Sequence, residues 1–127
     1  MSSNQWKISR APSVAPGRSP GSAFGPLAWT VASASAKDKS GDFAIQTRST
    51  FANLEQNLKA LGSSKENILT ASVYFADFKD TATFNEIWNE WVGPNPLHWP
   101  QRAIFQTILP SGTLVEIVAT AARPDAG

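Results

Sequence analysis

Two charged residues stand out in the last quarter of the chain because they interrupt an otherwise uncharged stretch. Arg102 begins one apolar segment and Glu116 lies in the next, and no other charge occurs between Ala103 and Ala122. A guanidinium can bind a carboxylate through two parallel hydrogen bonds, and a carboxylate in a partly dry site can orient water and accept a proton. Burying either charge unpaired is costly. The two residues are therefore either a structural ion pair or the polar end of a site.

The segments that carry these charges are predicted to be two β-strands. Residues 99–122 (WPQRAIFQTILPSGTLVEIVATAA) contain two β-prone runs joined by a tight turn at Leu109–Gly112, which predicts a hairpin. Both runs have apolar residues at odd and even positions, and strands of this kind are covered on both faces of their sheet.

Earlier parts of the chain predict the elements that hold this pair in place. Residues Ala11–Gly25 are rich in Pro, Gly and Ser and are predicted to form a loop. The other predicted elements are strands at Gln5–Ser9 and Leu27–Ala34, a helix from Asp42 to Leu61, a strand at Ile68–Ala76, and a helix from Asp77 or Asp80 to Trp91.

This order, β-β-α-β-α-β-β, predicts an α+β fold in two layers. One mixed sheet with hairpins at both ends would carry two helices on one face, in a single domain over residues 1–127. The helices cover only one face of the sheet, so the apolar residues on the other face predict contact with a further subunit.

Composition excludes several classes of function. The net charge of +1 gives no electrostatic basis for binding nucleic acid or an anionic membrane. The chain has no cysteine and one histidine, His98, which excludes thiolate metal sites and zinc sites built from several histidines. His98 itself is predicted to be a loop residue. No run has the length of a membrane span and the N-terminus lacks the apolar core of a signal peptide, so the expected compartment is the cytoplasm.

An ordered set of short motifs resembles the YjgF/RidA family of small imine and enamine deaminases. The resemblance is good from Phe43 to Arg123 and loose in the N-terminal third. The matching motifs are Pro100-x-Arg102, Leu109-Pro110-x-Gly112, Val115-Glu116-Ile117-x-Ala119, Asn53-Leu54, Val73-Tyr74-x-x-Asp77, and Phe84-Asn85 with Trp88.

The resemblance implies a chorismate-mutase-like fold and a homotrimer with sites at the subunit interfaces. It implies hydrolysis of a 2-imino or 2-enamino acid to a 2-keto acid and ammonia, with no cofactor and no metal. Arg102 matches the arginine that holds the substrate carboxylate, and Glu116 matches the glutamate that orients water. Asn85 matches a residue that lines the pocket, and the backbone at Val31 and Ala32 would supply further hydrogen bonds.

Three positions depart from the family pattern. Val31-Ala32 stands where family deaminases carry Ser-Gly or Thr-Gly, and Ile104 replaces a cysteine, which makes the pocket more apolar. Arg18 aligns approximately with a tyrosine of the family. Because Arg18 and Arg102 could hold two carboxylates, we also consider a dicarboxylate-like or extended substrate, such as an aminomuconate-type intermediate.

Two other functions remain open at the level of sequence. The second strand, with Val31-Ala32 in place of the family's Ser-Gly or Thr-Gly, could preserve carboxylate binding without turnover. The protein would then be a non-catalytic binding or regulatory trimer. Endoribonuclease activity, a label carried by some relatives, is disfavoured because the chain has neither a basic patch nor a pair of histidines.

Overall fold

The computed structural model describes residues 7–126, so Gln5 and Trp6 of the first predicted strand lie outside the described residues. The elements are strands β1 (Ser9–Arg10), β2 (Gly21–Phe24), β3 (Leu27–Ser33), β4 (Ile68–Phe75), β5 (Gln101–Gln106) and β6 (Val115–Ala122), with helices α1 (Phe43–Ala60) and α2 (Thr81–Val92). They form one six-stranded sheet and a helical layer, which confirms the predicted α+β class.

The sheet has the order β1-β2-β3-β6-β4-β5, and only the pairing of β4 with β5 is parallel. The predicted hairpin of β5 and β6 is wrong, because β4 lies between them. Residues 107–114 cross the end of β4, where Thr107 N–H donates to Phe75 O (2.9 Å) and Ala76 N–H donates to Leu114 O (3.1 Å). β4 is an inner strand whose two edges both need backbone partners, and β5 and β6 satisfy one edge each.

A second correction concerns the predicted loop at Ala11–Gly25, which contains strand β2. This strand pairs with β3 across a turn at Gly25, whose φ is +59°. Its sequence, GSAF, has little intrinsic β-propensity, so pairing rather than local preference makes it a strand. A Cβ at Gly21 would lie 2.7 Å from Leu61 Cδ1 and 3.0 Å from Trp29 O, so glycine lets β2 approach β3 and the end of α1 closely.

Helix α1 begins and ends with recognisable caps. The Asp42 carboxylate accepts a hydrogen bond from Ile45 N–H (2.9 Å) at the N-terminus. At the C-terminus, Gly62 adopts φ +79°, Gly62 N–H donates to Lys59 O (3.1 Å) and Ser63 N–H donates to Leu58 O (2.8 Å), which is a Schellman motif. These caps lie at the two ends of the predicted helix and confirm it.

The core lies between the helices and one face of the sheet. Alternate residues of β4 and β6 are buried there, and the Phe75 ring packs edge-on against Phe43 (5.4 Å between centroids) and Phe84 (5.1 Å). The opposite face has no helical cover. It exposes apolar side chains, namely Trp29 (42%), Val31 (38%), Phe105 (45%) and Val118 (42%). Among the described residues, no helix is long and apolar enough to span a membrane.

The aromatic core should dominate stability. Phe75→Ala removes a ring that is 0% exposed, and we expect it to lower the free energy of unfolding by about 3–5 kcal/mol. The control Phe78→Ala truncates a ring that is 50% exposed, and should cost less than about 1 kcal/mol. Urea unfolding at equal protomer concentration measures both values. Similar losses in the two variants would contradict this description of the core.

Candidate functional site

Arg102 is held by two aromatic rings rather than by a carboxylate. It lies on β5 opposite Ala71 of β4, so its side chain projects to the helical side of the sheet. There the guanidinium carbon lies 5.5 Å from the centroid of Phe84 and 5.1 Å from that of Trp88, both on α2. Rings at this distance attract a cation through their electron-rich faces. Burial lowers the pKa of Arg102, although an arginine stays protonated near neutrality.

The five N–H donors of Arg102 have no acceptor within the described residues, where the one ion pair joins Arg48 to Glu90. A half-buried guanidinium with its donors unused is suited to bind an anion that comes from outside the protomer. The geometry thus excludes the first alternative from the sequence, a structural pair with Glu116 inside one chain.

Asn85 and Ile104 flank this arginine. Asn85 follows Phe84 on α2 and precedes Trp88 by one helical turn, so it shares the part of the helix that carries the two rings. Its Oδ1 is buried and accepts no hydrogen bond within the described residues. Ile104 lies two residues after Arg102 on the same side of β5 and packs partly buried against the core. Arg102, Asn85 and Ile104 are together called the arginine edge.

A second region of interest is a cleft of about 950 Å³ beside the end of β3. Pairing with β2 stops at Thr30, so the following residues of β3 have no strand partner on that edge. The cleft is bounded by the loop that precedes β2, by α1 and by the segment before β6. Its lining includes four predicted site residues, Arg18, Val31, Ala32 and Glu116, and it also includes Lys39. It is called the β3 cleft below.

The cleft is lined by one acidic side chain, Glu116, and two positively charged side chains, Arg18 and Lys39. Glu116 lies directly opposite Ser33 across the β3–β6 pair, and on its other side opposite Tyr74. Lys39 donates hydrogen bonds through Nζ to Thr113 Oγ1 (2.8 Å) and Ser33 Oγ (3.2 Å). Partial burial lowers the pKa of Lys39, and attraction to Glu116 opposes that effect. The exposed Arg18 side chain makes no hydrogen bond or ion pair with residues 7–126.

The backbone of Val31 is already engaged. Its N–H donates to Pro20 O (2.9 Å), and its carbonyl accepts from Asn57 Nδ2 (3.2 Å). Both backbone groups of Val31 thus already bond within the chain, and ligand hydrogen bonds from the backbone of Val31 and Ala32 stay a prediction. Ala32 lines the cleft but is only 6% exposed.

The predicted site residues thus fall into two groups within one chain. Arg102 on β5 points to the helical face of the sheet, whereas Glu116 on β6 points to the open face. On β4, which lies between them, the residue beside Glu116 comes three positions after the residue beside Arg102. From the usual strand spacing and rise per residue, their Cα atoms are roughly 14 Å apart. One protomer cannot bring both side chains to a single small ligand.

Sequence reasoning missed Lys39, because residues 37–42 (KDKSGD) predict only a turn. Its orientation depends on Gln46, a buried residue of α1. Gln46 Nε2 donates to Lys39 O (3.0 Å) and Gly112 O (2.8 Å), while its Oε1 accepts from Leu114 N–H (3.0 Å). These bonds tie the turn to the segment before β6. No local signal separates Lys39 from Lys37, since the contacts come from residues far apart in sequence.

No group of three or more His, Asp or Glu side chains within residues 7–126 is placed to hold a metal ion.

Comparison with known proteins places these features in context. A family model described as Endoribonuclease L-PSP matches residues 25–123. The chain is 36% identical over 85 residues to a RutC family protein of Haemophilus ducreyi, which covers 67% of this chain and 72% of that protein. It is 35% identical over 83 residues to the human 2-iminobutanoate/2-iminopropanoate deaminase, covering 65% of this chain and 58% of that enzyme. The chain thus spans less than two thirds of the length of the human enzyme.

Solved structures give a fuller overlap. A protein from Pseudomonas aeruginosa has a TM-score of 0.82 at 28% identity, covering 92% of this chain and 99% of that one. A YjgF family protein from Neisseria meningitidis has a TM-score of 0.81 at 26% identity, covering 93% of this chain and 96% of that one. The family model includes the arginine edge and the part of the β3 cleft that follows residue 25, whereas Arg18 lies before the matched residues. The chain belongs to the YjgF/RidA family.

Proposed function

We propose that the protein is a hydrolytic deaminase of 2-imino or 2-enamino acids, which releases a 2-keto acid and ammonia at sites formed between copies of the chain. The observation that carries this proposal is the half-buried guanidinium of Arg102, held by Phe84 and Trp88 with its hydrogen-bond donors unused. A planar fork in that environment suits the carboxylate of an imino acid. The names of the human and rat relatives support the same class of substrate.

The reaction requires water and proton transfer but no change of oxidation state. Water attacks the imine carbon, a C–O bond forms, and the C=N electron pair moves to nitrogen. Glu116 is suited to accept the proton of that water, because its carboxylate faces the cleft and bonds to no other side chain in the described part of the chain. Protonation of the amine then lets the C–N bond break, and the hydroxyl electrons form the keto group.

Assembly would unite the two groups of residues. Arg102 and Ile104 of the arginine edge lie on β5, the outermost strand, and the apolar open face of the sheet lacks cover within the described residues. We propose a homotrimer in which the arginine edge of one copy meets the β3 cleft of the next. Asn85, whose Oδ1 has no partner in the described residues, would lie beside this shared site.

A binding protein without turnover is the second candidate. The occupied backbone of Val31 favours it, since the N–H and the carbonyl of that residue already bond within the chain. Ribonuclease activity has no comparable support, because the net charge is +1 and His98 is the single histidine.

Loss of Arg102 should abolish recognition of the carboxylate. An amino-acid oxidase can generate the imine in situ, and trapping of the remaining imine measures its decay. Wild type should accelerate decay, and Arg102→Lys should lower kcat/KM by about 30-fold or more, because an ammonium keeps the charge but loses the planar fork.

Equal decay with and without wild type, together with a keto acid bound in the cleft, would instead support the binding protein. RNA cleavage that is lost in Arg102→Lys would revive the nuclease.

Glu116→Gln tests the proton acceptor with little change of shape. We expect kcat to fall by about 100-fold or more while binding of the product keto acid stays near wild type, because an amide cannot accept the proton of the attacking water. Asp125→Asn removes a carboxylate from the exposed C-terminal turn and serves as the control. An unchanged kcat in Glu116→Gln would remove Glu116 from the mechanism.

The apolar open face predicts a defined oligomer. Light scattering at micromolar concentration should give the mass of three chains. Val118→Lys places a charge on the open face and should dissociate the assembly, whereas Ile45→Lys on α1, with a similar exposed fraction (49% against 42%), should not. A monomeric wild type would contradict a site shared between copies.

A further inference from the structure

We propose that Lys39 is a specificity-determining residue of the β3 cleft, which binds a second acidic group of the substrate and makes imines of acidic amino acids the preferred class. This inference rests on the proposed deaminase function for its reaction, but it concerns a residue that neither the motifs nor the comparisons single out.

The first support is the way in which Lys39 is held. Its ammonium donates to the hydroxyls of Thr113 (2.8 Å) and Ser33 (3.2 Å), which come from two different segments. Both partners are neutral, so they position the charge without compensating it. An ammonium has three donors, and two are used here. The remaining donor is available to a ligand in the cleft that Lys39 lines.

The second support is the balance of charge in the cleft. Its charged lining residues are Arg18, Lys39 and Glu116, two cations against one anion. In the described part of the chain no carboxylate oxygen lies within 4.0 Å of the Lys39 ammonium, so Glu116 attracts it without forming an ion pair. A partly buried cation that lacks a direct counter-ion is suited to bind an anionic group.

The third support is that Lys39 and Glu116 line the same cleft. A substrate whose α-carboxylate is held by Arg102 of a neighbouring copy could place its reacting carbon near Glu116 and extend a side-chain carboxylate to Lys39.

Lys39 explains selection of a second acidic group better than Arg18 does. The Arg18 side chain is exposed and has no hydrogen-bond partner in residues 7–126 that would fix its position. Lys39, by contrast, is attached to a turn that Gln46 ties to the segment before β6. A preorganised cation loses less side-chain entropy on binding and so discriminates better between ligands.

The test compares imines of two amino acids, one with a neutral and one with an acidic side chain. Wild type should prefer the acidic substrate by about tenfold or more in kcat/KM. Lys39→Gln keeps donors for both hydroxyls but removes the charge, and should abolish this preference with little effect on the neutral substrate. Lys39→Arg should retain the preference. Lys37→Gln, an exposed lysine two residues away that does not line the cleft, should leave both rates unchanged.

Three results would overturn the assignment. They are a wild type without preference, an equal loss on both substrates in Lys39→Gln, and a preference that survives in Lys39→Gln but is lost in Arg18→Ala. If wild type accelerates neither imine, the deaminase proposal fails separately. Calorimetric binding of a 2-oxo dicarboxylate and a 2-oxo monocarboxylate then decides the role of Lys39. Tighter binding of the dicarboxylate by wild type that is lost in Lys39→Gln supports the assignment of Lys39. A wild type that binds both compounds equally overturns the assignment.

Discussion

The position of β4 between β5 and β6 is the constraint on which the rest of the structure depends. Side chains alternate along a strand, so the register of β4 with its two neighbours decides which face each residue reaches. Ala71 lies beside Arg102 and Tyr74 beside Glu116, and these two β4 residues have opposite parity. The arginine therefore meets the helical layer and the glutamate meets the open face. A single-residue slip of either pairing would place both side chains on the same face.

The same elements that form the core also hold the site. Phe84 and Trp88 are buried core residues, and their rings face Arg102. Gln46 is buried in α1. The hydrogen bonds of its side-chain amide hold the turn that carries Lys39 and the segment that leads to Glu116. Groups built on packed elements keep their geometry better than groups on free loops. The cost is that variants of these supporting residues will affect stability and function together.

The sequence predicted those parts of the fold that follow from local patterns. The extent of α1, predicted from Asp42 to Leu61, could be found from the sequence because helix signals act locally, and the observed caps lie at these two residues. Strand β2 was missed because small residues become a strand only beside β3. The sequence could identify Arg102 and Glu116 as unusual, but it could not place them on opposite faces. That outcome depends on strand order, which is set by long-range pairing.

In the proposed assembly, each site takes Arg102 from one copy and Glu116 from another. Mixing of subunits that carry different substitutions tests this arrangement most directly. Arg102→Ala and Glu116→Gln chains should each be inactive alone. Unfolded together in equal amounts and refolded, they should regain up to about one quarter of wild-type imine hydrolysis, since random assembly pairs an intact arginine with an intact glutamate at that frequency. Refolded mixtures that contain mixed oligomers but remain inactive would contradict a shared site.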